Sequence, residues 1–128
     1  MRFEQLDVWK RASRLACDVY KALKDSRDYG LKDQMTRAAV SIPSNIAEGE
    51  ERESQAESAR FLYFAKGSAG ELVTQIYIAV EIGLIEKQQG GLLIREAKEI
   101  SAMIAALIKI RKGSVRESSV DYNIQPRT

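Results

Sequence analysis

Four stretches of the chain place apolar residues three and four positions apart, and this spacing constrains the fold more than any other feature. In the first stretch the spaced residues are Trp9, Ala12, Ala16, Val19 and Leu23. Residues at that spacing share one face of an α-helix, so each stretch predicts a helix with one side buried. No long stretch alternates apolar and polar residues as a half-buried strand would. The sequence therefore predicts an all-α protein.

The other three stretches predict longer helices. The second runs from about residue 31 to residue 48, with Gly49 as a plausible stop. The third starts at the capping-box pair Ser54 and Glu57, extends for about 30 residues to Gly83, and is predicted to be the longest. The fourth runs from about residue 91 to residue 112, between the turn at residues 90–91 and Gly113. The apolar lines are Leu31, Met35, Ala38, Ile42 and Ile46; Leu62, Ala65, Ala69, Leu72, Ile76 and Ala79; and Leu93, Ala97, Ile100, Ile104 and Leu107.

Short turns between the predicted helices favour an up-down-up-down four-helix bundle over residues 1–113. Residues 114–128 form a polar tail that we expect to be loosely held or to pack only against a neighbour. The third and fourth helices carry more apolar residues than one buried face needs, which predicts self-association. A wide core stripe is the alternative explanation. The additional residues are Phe61, Phe64, Val73, Tyr77 and Val80 on the third helix and Met103, Ile108 and Ile110 on the fourth.

Composition and the N-terminal segment favour a cytoplasmic location. No apolar run approaches the ~20 residues of a membrane span, and residues 1–11 lack the apolar stretch of a secretory signal. The single cysteine, Cys17, cannot form an internal disulfide, which fits a reducing compartment. Because Cys17 lies within an apolar helical stretch, it is predicted to be a buried structural thiol.

The residues that most chemistry requires are scarce in this chain. It contains no histidine, and a lone cysteine excludes cysteine-rich metal sites. No phosphate-binding loop or nucleophile-elbow motif is present. We therefore expect no enzymatic activity, no cofactor and no metal site. A carboxylate run that we expect simply to be solvated comprises Glu48, Glu50, Glu51, Glu53 and Glu57.

Two segments contain residues that are unusual inside a helix. Pro43 removes a backbone hydrogen bond within the second stretch, so either the helix kinks there or Ser41 caps a new start. Gly67 and Gly70 lie within the third stretch, where each costs about 1 kcal/mol relative to alanine. We expect the two segments to pack closely together, with a ligand pocket as the alternative. The residues assigned to this helix contact are Ser41, Pro43, Asn45, Gly67, Ser68 and Glu71. Within it, Asn45 and Glu71 are expected to form a buried polar pair.

The same segments resemble the 23S rRNA intervening-sequence protein family of bacteria, whose members are also called four-helix bundle proteins. The resemblance covers roughly residues 3–112, and its most specific string is SIPSNIAEG at residues 41–49. It also includes Leu6, Val8 and Trp9; Gln34, Arg37 and Ala38; and Phe61, Leu62, Tyr63, Ala65, Gly67, Ser68, Glu71 and Leu72.

The resemblance implies a cytoplasmic bundle that assembles into a ring-like homopentamer and has no established enzymatic activity. Some members are encoded within large-subunit ribosomal RNA genes. A related group, the accessory proteins of diversity-generating retroelements, binds a reverse transcriptase and nucleic acid. The expected partners are therefore other copies of the chain, RNA or DNA, or a partner protein, with no membrane.

The distribution of charge leaves two functions open. Residues 1–47 carry nine basic and six acidic groups, residues 48–86 carry three and eight, and residues 87–128 carry eight and four. One hypothesis is weak nucleic-acid binding through basic faces, because a ring would repeat the cationic line of the first helix and strengthen its field for phosphates. That line comprises Lys10, Arg14, Lys21 and Lys24. The other hypothesis is a protein-protein adaptor or scaffold, such as a reverse-transcriptase accessory subunit.

Overall fold

Four α-helices make up the fold in a computed structural model that describes the backbone of residues 3–123 and the side chains of residues 3–113. A short 3₁₀ turn at Phe3–Gln5 precedes α1 (Asp7–Ala22), α2 (Tyr29–Glu51), α3 (Gln55–Glu81) and α4 (Lys87–Asn123). Residues 3–123 contain no β-strand, so the predicted all-α class is confirmed.

The helices run antiparallel in chain order. Ser41 of α2 contacts Ser68 of α3, and the end of α2 at Gly49 meets the start of α3 at Ser58. The early residue Tyr63 of α3 meets the late residue Lys112 of α4. Helix α4 also packs along α1, which closes the bundle. The predicted up-down-up-down four-helix bundle is therefore confirmed.

The predicted apolar lines form the core. Nearly all of their members are buried, and the exceptions Trp9, Leu31 and Leu107 are partly buried against the cluster. The fully buried large side chains include Leu15, Ile42, Leu72 and Ile104, with contributions from all four helices. At about 25 cal/mol per Å² of apolar surface removed from water, this shared interior is the main source of stability.

Local signals set three of the helix boundaries. The Asp28 carboxylate accepts a hydrogen bond from the Leu31 amide at 3.1 Å and caps the start of α2. The Ser54 hydroxyl accepts from the Glu57 amide at 3.0 Å, as the predicted capping box requires. Helix α3 ends at Glu81, and the turn after it contains Gly83, whose φ of +82° is easily reached only without a side chain.

Three predicted boundaries were wrong. Helix α2 continues past Gly49 to Glu51, and α4 starts at Lys87 instead of after residues 90–91. Helix α4 also continues through Gly113 to Asn123, so at 37 residues it is longer than the 27-residue α3. A glycine weakens a helix by only about 1 kcal/mol, and a helix that is packed elsewhere continues through it.

Two of these glycines mark close helix crossings. A Cβ atom on Gly49 would lie 3.0 Å from the Ser58 carbonyl oxygen, and one on Gly90 would overlap the Cγ2 methyl of Val80. Both residues are buried inside their helices. They therefore permit close approach to α3 and do not form turns.

The surplus apolar residues are divided between core and surface. Ile108 is buried, and Val73, Val80 and Met103 are partly buried against the core. Large apolar side chains that remain exposed include Phe64, Tyr77, Ile78, Ile82, Leu92 and Ile110. A wide core stripe thus accounts for only part of the surplus. Among the described helices, none is long and apolar enough to cross a membrane.

Candidate nucleic-acid interface and helix contact

Of the four predicted nucleic-acid-binding cations, Lys10, Arg14 and Lys21 lie on the outer face of α1, and Lys24 lies in the turn that follows the helix. Lys10, Arg14, Lys21 and Lys24 are all exposed, and the core-facing residues of α1 lie on the opposite side. None of the four forms an ion pair with any residue whose side chain the structure describes. The structure therefore places four exposed cations without described ion pairs along α1 and the turn after it, while their binding role stays a prediction.

Cys17 lies on this same outer face and is exposed. The prediction of a buried thiol was wrong. Position 17 follows the buried Ala16, but one residue advances the helix by 100°, which turns the side chain away from the core. Its neighbours along the outer face are Arg14 and Lys21, three and four positions away.

Arg11 is a cation of α1 with a different environment. Its guanidinium contacts Glu96 twice, at 2.9 Å from Nε and 2.5 Å from Nη2, and contacts Glu99 at 2.9 Å. These bonds to Arg11 lower the pKa of Glu96 below its ordinary value and raise the pKa of Arg11. The contact joins α1 to α4 and stabilises the closed bundle. Sequence reasoning missed it, because the partners lie 85 residues apart.

The predicted contact between α2 and α3 is built from short polar side chains. The hydroxyls of Ser41 and Ser68 share a hydrogen bond of 2.9 Å. Asn45 donates from Nδ2 to the Ser41 carbonyl and to the Ser41 hydroxyl, both at 2.9 Å. Pro43 is buried within a continuous α2, and Ser41 does not start a new helix. Three of the assigned residues, Ser41, Asn45 and Ser68, thus form one hydrogen-bonded group.

Gly67 and Glu71 do not join that group. Both are exposed, and a Cβ atom on Gly67 would have no heavy atom within 4 Å. The expected packing of Gly67 against α2 is therefore wrong within a single chain, because Ser68 and Ala69 occupy that side of α3. Asn45 bonds to Ser41 and not to Glu71, so the expected buried pair is also wrong.

A cleft of about 300 Å³ lies beside this contact. Its lining residues are Gln34, Arg37, Ala38, Ser41, Ser68, Glu71 and Gln75. Gln75 is only 7% exposed, and its Oε1 is buried with no hydrogen-bond partner. A buried acceptor without a donor is costly, so this side chain is the least satisfied polar group on the cleft wall. The sequence signal was a glutamine beside the buried Leu72 and Ile76 of the apolar line.

The predicted solvated carboxylate run is largely engaged in ion pairs. Glu50 accepts two hydrogen bonds from Arg111, at 2.5 and 2.9 Å, and this pair joins α2 to α4. Glu48 pairs with Arg52 at 2.6 Å, and Glu57 pairs with Arg60 at 3.4 Å. Among the described side chains, no group of three or more acidic, histidine or cysteine residues is arranged to hold a metal ion.

Comparison with known proteins relates the chain to a protein family and to a solved structure of similar fold. A family model described as 23S rRNA-intervening sequence protein matches residues 4–106. The fold is similar to a crystal structure from Bacteroides thetaiotaomicron, described as a protein with unknown function from the S23 ribosomal protein family. The two chains are 24% identical, with coverage of 80% of this chain and 98% of the other and a TM-score of 0.76. At that identity the likeness shows the fold alone.

A search of curated proteins finds no match. Neither matching description mentions catalysis.

Proposed function

Since this chain belongs to the 23S rRNA-intervening sequence protein family, we propose that it acts as a non-enzymatic, self-assembling bundle that binds RNA or DNA weakly through basic faces. The observation that carries the proposal is the line of four exposed cations on α1 and the turn after it, which form no ion pair with a described side chain. Arg11 shows the contrast, because two carboxylates already neutralise it. The cations of the line keep their charge available for phosphate groups.

Four charges on one subunit give only weak, sequence-independent binding at physiological salt. A ring of copies would repeat the α1 line around one assembly and strengthen its field. The proposed assembly is the ring-like homopentamer that the sequence resemblance implies, in the cytoplasm.

Self-assembly is supported by the outer face of α3. Phe64, Ile78 and Ile82 are each about half exposed, and the open glycines Gly67 and Gly70 lie between Phe64 and Ile78 in the chain. Apolar side chains of this size lose contact with water when another copy covers them, which favours association. Glycines without neighbours would let the second backbone approach closely. Sedimentation velocity over a range of concentrations tests this part, and a single monomeric species at every concentration would contradict it.

Nucleic-acid binding is tested by the anisotropy of labelled ribosomal RNA fragments and duplex DNA, titrated with the protein from low to moderate salt. Replacing Lys10, Arg14, Lys21 and Lys24 together by glutamine should reduce the slope of log K against log salt for duplex DNA by about 3 to 4. A matched control replaces four other exposed cations, Arg27, Lys87, Arg95 and Lys98, by glutamine. Absence of binding at low salt, or equal losses in the two variants, would contradict the assignment to α1.

An adaptor is the second candidate, as expected of a reverse-transcriptase accessory subunit. It is favoured by Ile82 and Leu92, which are more than half exposed on either side of the α3–α4 turn. In this case the tagged chain should recover one defined protein from its host, and nuclease treatment should leave the complex intact. Replacing both residues by serine should abolish the recovery and leave nucleic-acid affinity unchanged.

A further inference from the structure

A second basic surface lies between α3 and α4, where a groove of about 630 Å³ opens beside Tyr63. We propose that this groove binds single-stranded nucleic acid, with phosphates held by Lys66, Lys109 and Lys112 and a base stacked on the Tyr63 ring. The proposal rests on the proposed function and assigns the strand to a surface outside α1. The groove is lined by Tyr63, Lys66, Ala105, Ala106, Ile108, Lys109, Lys112 and Gly113.

The described lining of the groove carries charge of one sign. Of the lining residues whose side chains the structure describes, three are lysines and none is acidic. The flanking helix segments explain this, because α3 has no carboxylate between Glu57 and Glu71, and α4 has none between Glu99 and Gly113. None of the three lysines is in an ion pair with another described side chain, whereas the adjacent Arg111 is paired with Glu50. The groove therefore offers a concentrated positive potential to a polyanion.

The groove also has an aromatic wall. Tyr63 is 48% exposed, and the Lys112 ammonium lies 5.5 Å from the centre of its ring and 3.2 Å from its hydroxyl. These contacts limit the movement of the ring, so a stacked base would lose less freedom than on a mobile side chain. Bases stack on such rings irrespective of sequence, at about 1–3 kcal/mol per base.

The ring and the cations of the groove together favour one kind of ligand. Lysines beside an exposed ring match a chain of alternating phosphates and bases. An acidic peptide would use the lysines but would gain little from the ring. A duplex would keep its bases stacked internally, out of reach of Tyr63.

The volume of the groove fits this ligand. Small-molecule sites occupy roughly 300–1,000 Å³, so about 630 Å³ accommodates a nucleotide or two of a passing strand. The ring lies on one wall and the lysines come from both helices, so base and backbone can be contacted at once. The proposed ligand is therefore a single strand of RNA or DNA without sequence preference.

The first experiment measures the anisotropy of a short labelled oligothymidylate bound to the full-length protein and to matched variants. Tyr63→Ala should weaken binding roughly 5- to 100-fold through loss of stacking, whereas Tyr63→Phe, which keeps the ring, should change it less than about twofold. The triple change of Lys66, Lys109 and Lys112 to glutamine should reduce the salt slope by about 2. Thermal melting confirms that each variant is folded.

The second experiment works on the unmodified protein and does not depend on variants. A strand that carries 4-thiouridine is crosslinked by light, and the tryptic peptides are mapped. Cleavage after Arg60 and Lys66 releases residues 61–66 with Tyr63 inside. The expected product is the strand attached to that peptide.

The outcomes separate this site from the proposed function. If the strand binds but crosslinks only to α1 peptides, and the triple lysine variant keeps the full salt slope, the groove assignment is wrong while nucleic-acid binding stands. Equal competition by duplex DNA or by polyglutamate would also overturn a stacked single strand. Loss of all nucleic-acid binding at low salt would overturn both proposals together.

Discussion

Two pairs of glycines in this protein lie in opposite environments. Gly49 and Gly90 are buried where helices cross, and a methyl group on either would press against α3. Gly67 and Gly70 lie on the exposed face of α3, where a methyl group would meet nothing within 4 Å. The first pair is explained by packing inside one chain. The second pair costs helix stability without a packing contact inside that chain, and the proposed self-assembly would account for it.

The cations differ in the same way, by whether their contacts lie within the chain. Arg11 and Arg111 are bound by carboxylates of other helices, and these contacts fix α1 and α2 to α4. Lys10, Arg14, Lys66 and Lys109 have no ion pair among the described side chains. Cations that pair with a carboxylate of another helix stabilise the bundle. Cations without such a partner lie on surfaces that other molecules can contact.

Among the substitutions that test this comparison, the largest effect on stability is expected at Gly90. Gly90→Ala should destabilise the protein by about 1–3 kcal/mol, because the stiff Val80 side chain has to move or the helices have to separate. Its neighbour supplies the control, since Gly91 is exposed with open space around it. Urea denaturation should show Gly91→Ala to be neutral or slightly stabilising. Equal effects at the two positions would contradict the assigned crossing.

A smaller loss is expected at Gly49. The added methyl of Gly49→Ala would meet a backbone carbonyl at 3.0 Å, but alanine also strengthens the helix, so the net destabilisation should be about 1–2 kcal/mol. The same denaturation experiment measures it. A stabilised variant would show that α2 and α3 are farther apart than the structure places them.

On the exposed face of α3, replacing glycine by alanine should raise stability instead of lowering it. Gly67→Ala should raise the stability of the isolated subunit by about 0.5–1 kcal/mol, because no packing opposes the helix propensity of alanine. In sedimentation velocity the same variant should associate less, if a second backbone covers this face. A stability loss in the dilute subunit would instead assign Gly67 a role within the chain.

The smallest effect concerns acid stability. Bonding to Arg11 lowers the pKa of folded Glu96, so this pair stabilises the fold fully above the ordinary glutamate pKa of about 4.3 and progressively less as pH falls through the lowered value. Both side chains are about one-third exposed, which limits the contribution to about 1 kcal/mol. Urea denaturation from neutral pH to about pH 3 measures this contribution. In Glu96→Gln the stability should no longer contain it. The exposed Glu86, which has no ion pair among the described side chains, is the control.

The fold was largely predictable because apolar residues spaced three and four positions apart lie on one face of a helix, and that face is the one buried in the bundle. The capping box at Ser54 was also a local signal, and it was confirmed. The glycines at positions 49, 90 and 113 were misread as helix ends, because sequence alone does not distinguish a glycine that starts a turn from one that permits a crossing.

The candidate sites were less predictable, since they join distant parts of the chain. The α1 line was visible because its four cations lie close together in the sequence at helical spacing. The groove at Tyr63 combines residues of α3 and α4 whose proximity depends on helix register. The contact of Ser41 with Ser68 was anticipated, but the partner of Asn45 depended on side-chain geometry that no spacing rule provides.

The exposed position of Cys17 has a practical consequence for every assembly measurement. It is the only cysteine of the chain, and an accessible thiol in air-exposed buffer can join two molecules through an interchain disulfide. Such a covalent dimer would imitate self-assembly in sedimentation and would cover part of the α1 face. Reductant, or a Cys17→Ser chain, keeps the two kinds of association apart. The same thiol, labelled with maleimide, would place a single reporter dye between Arg14 and Lys21.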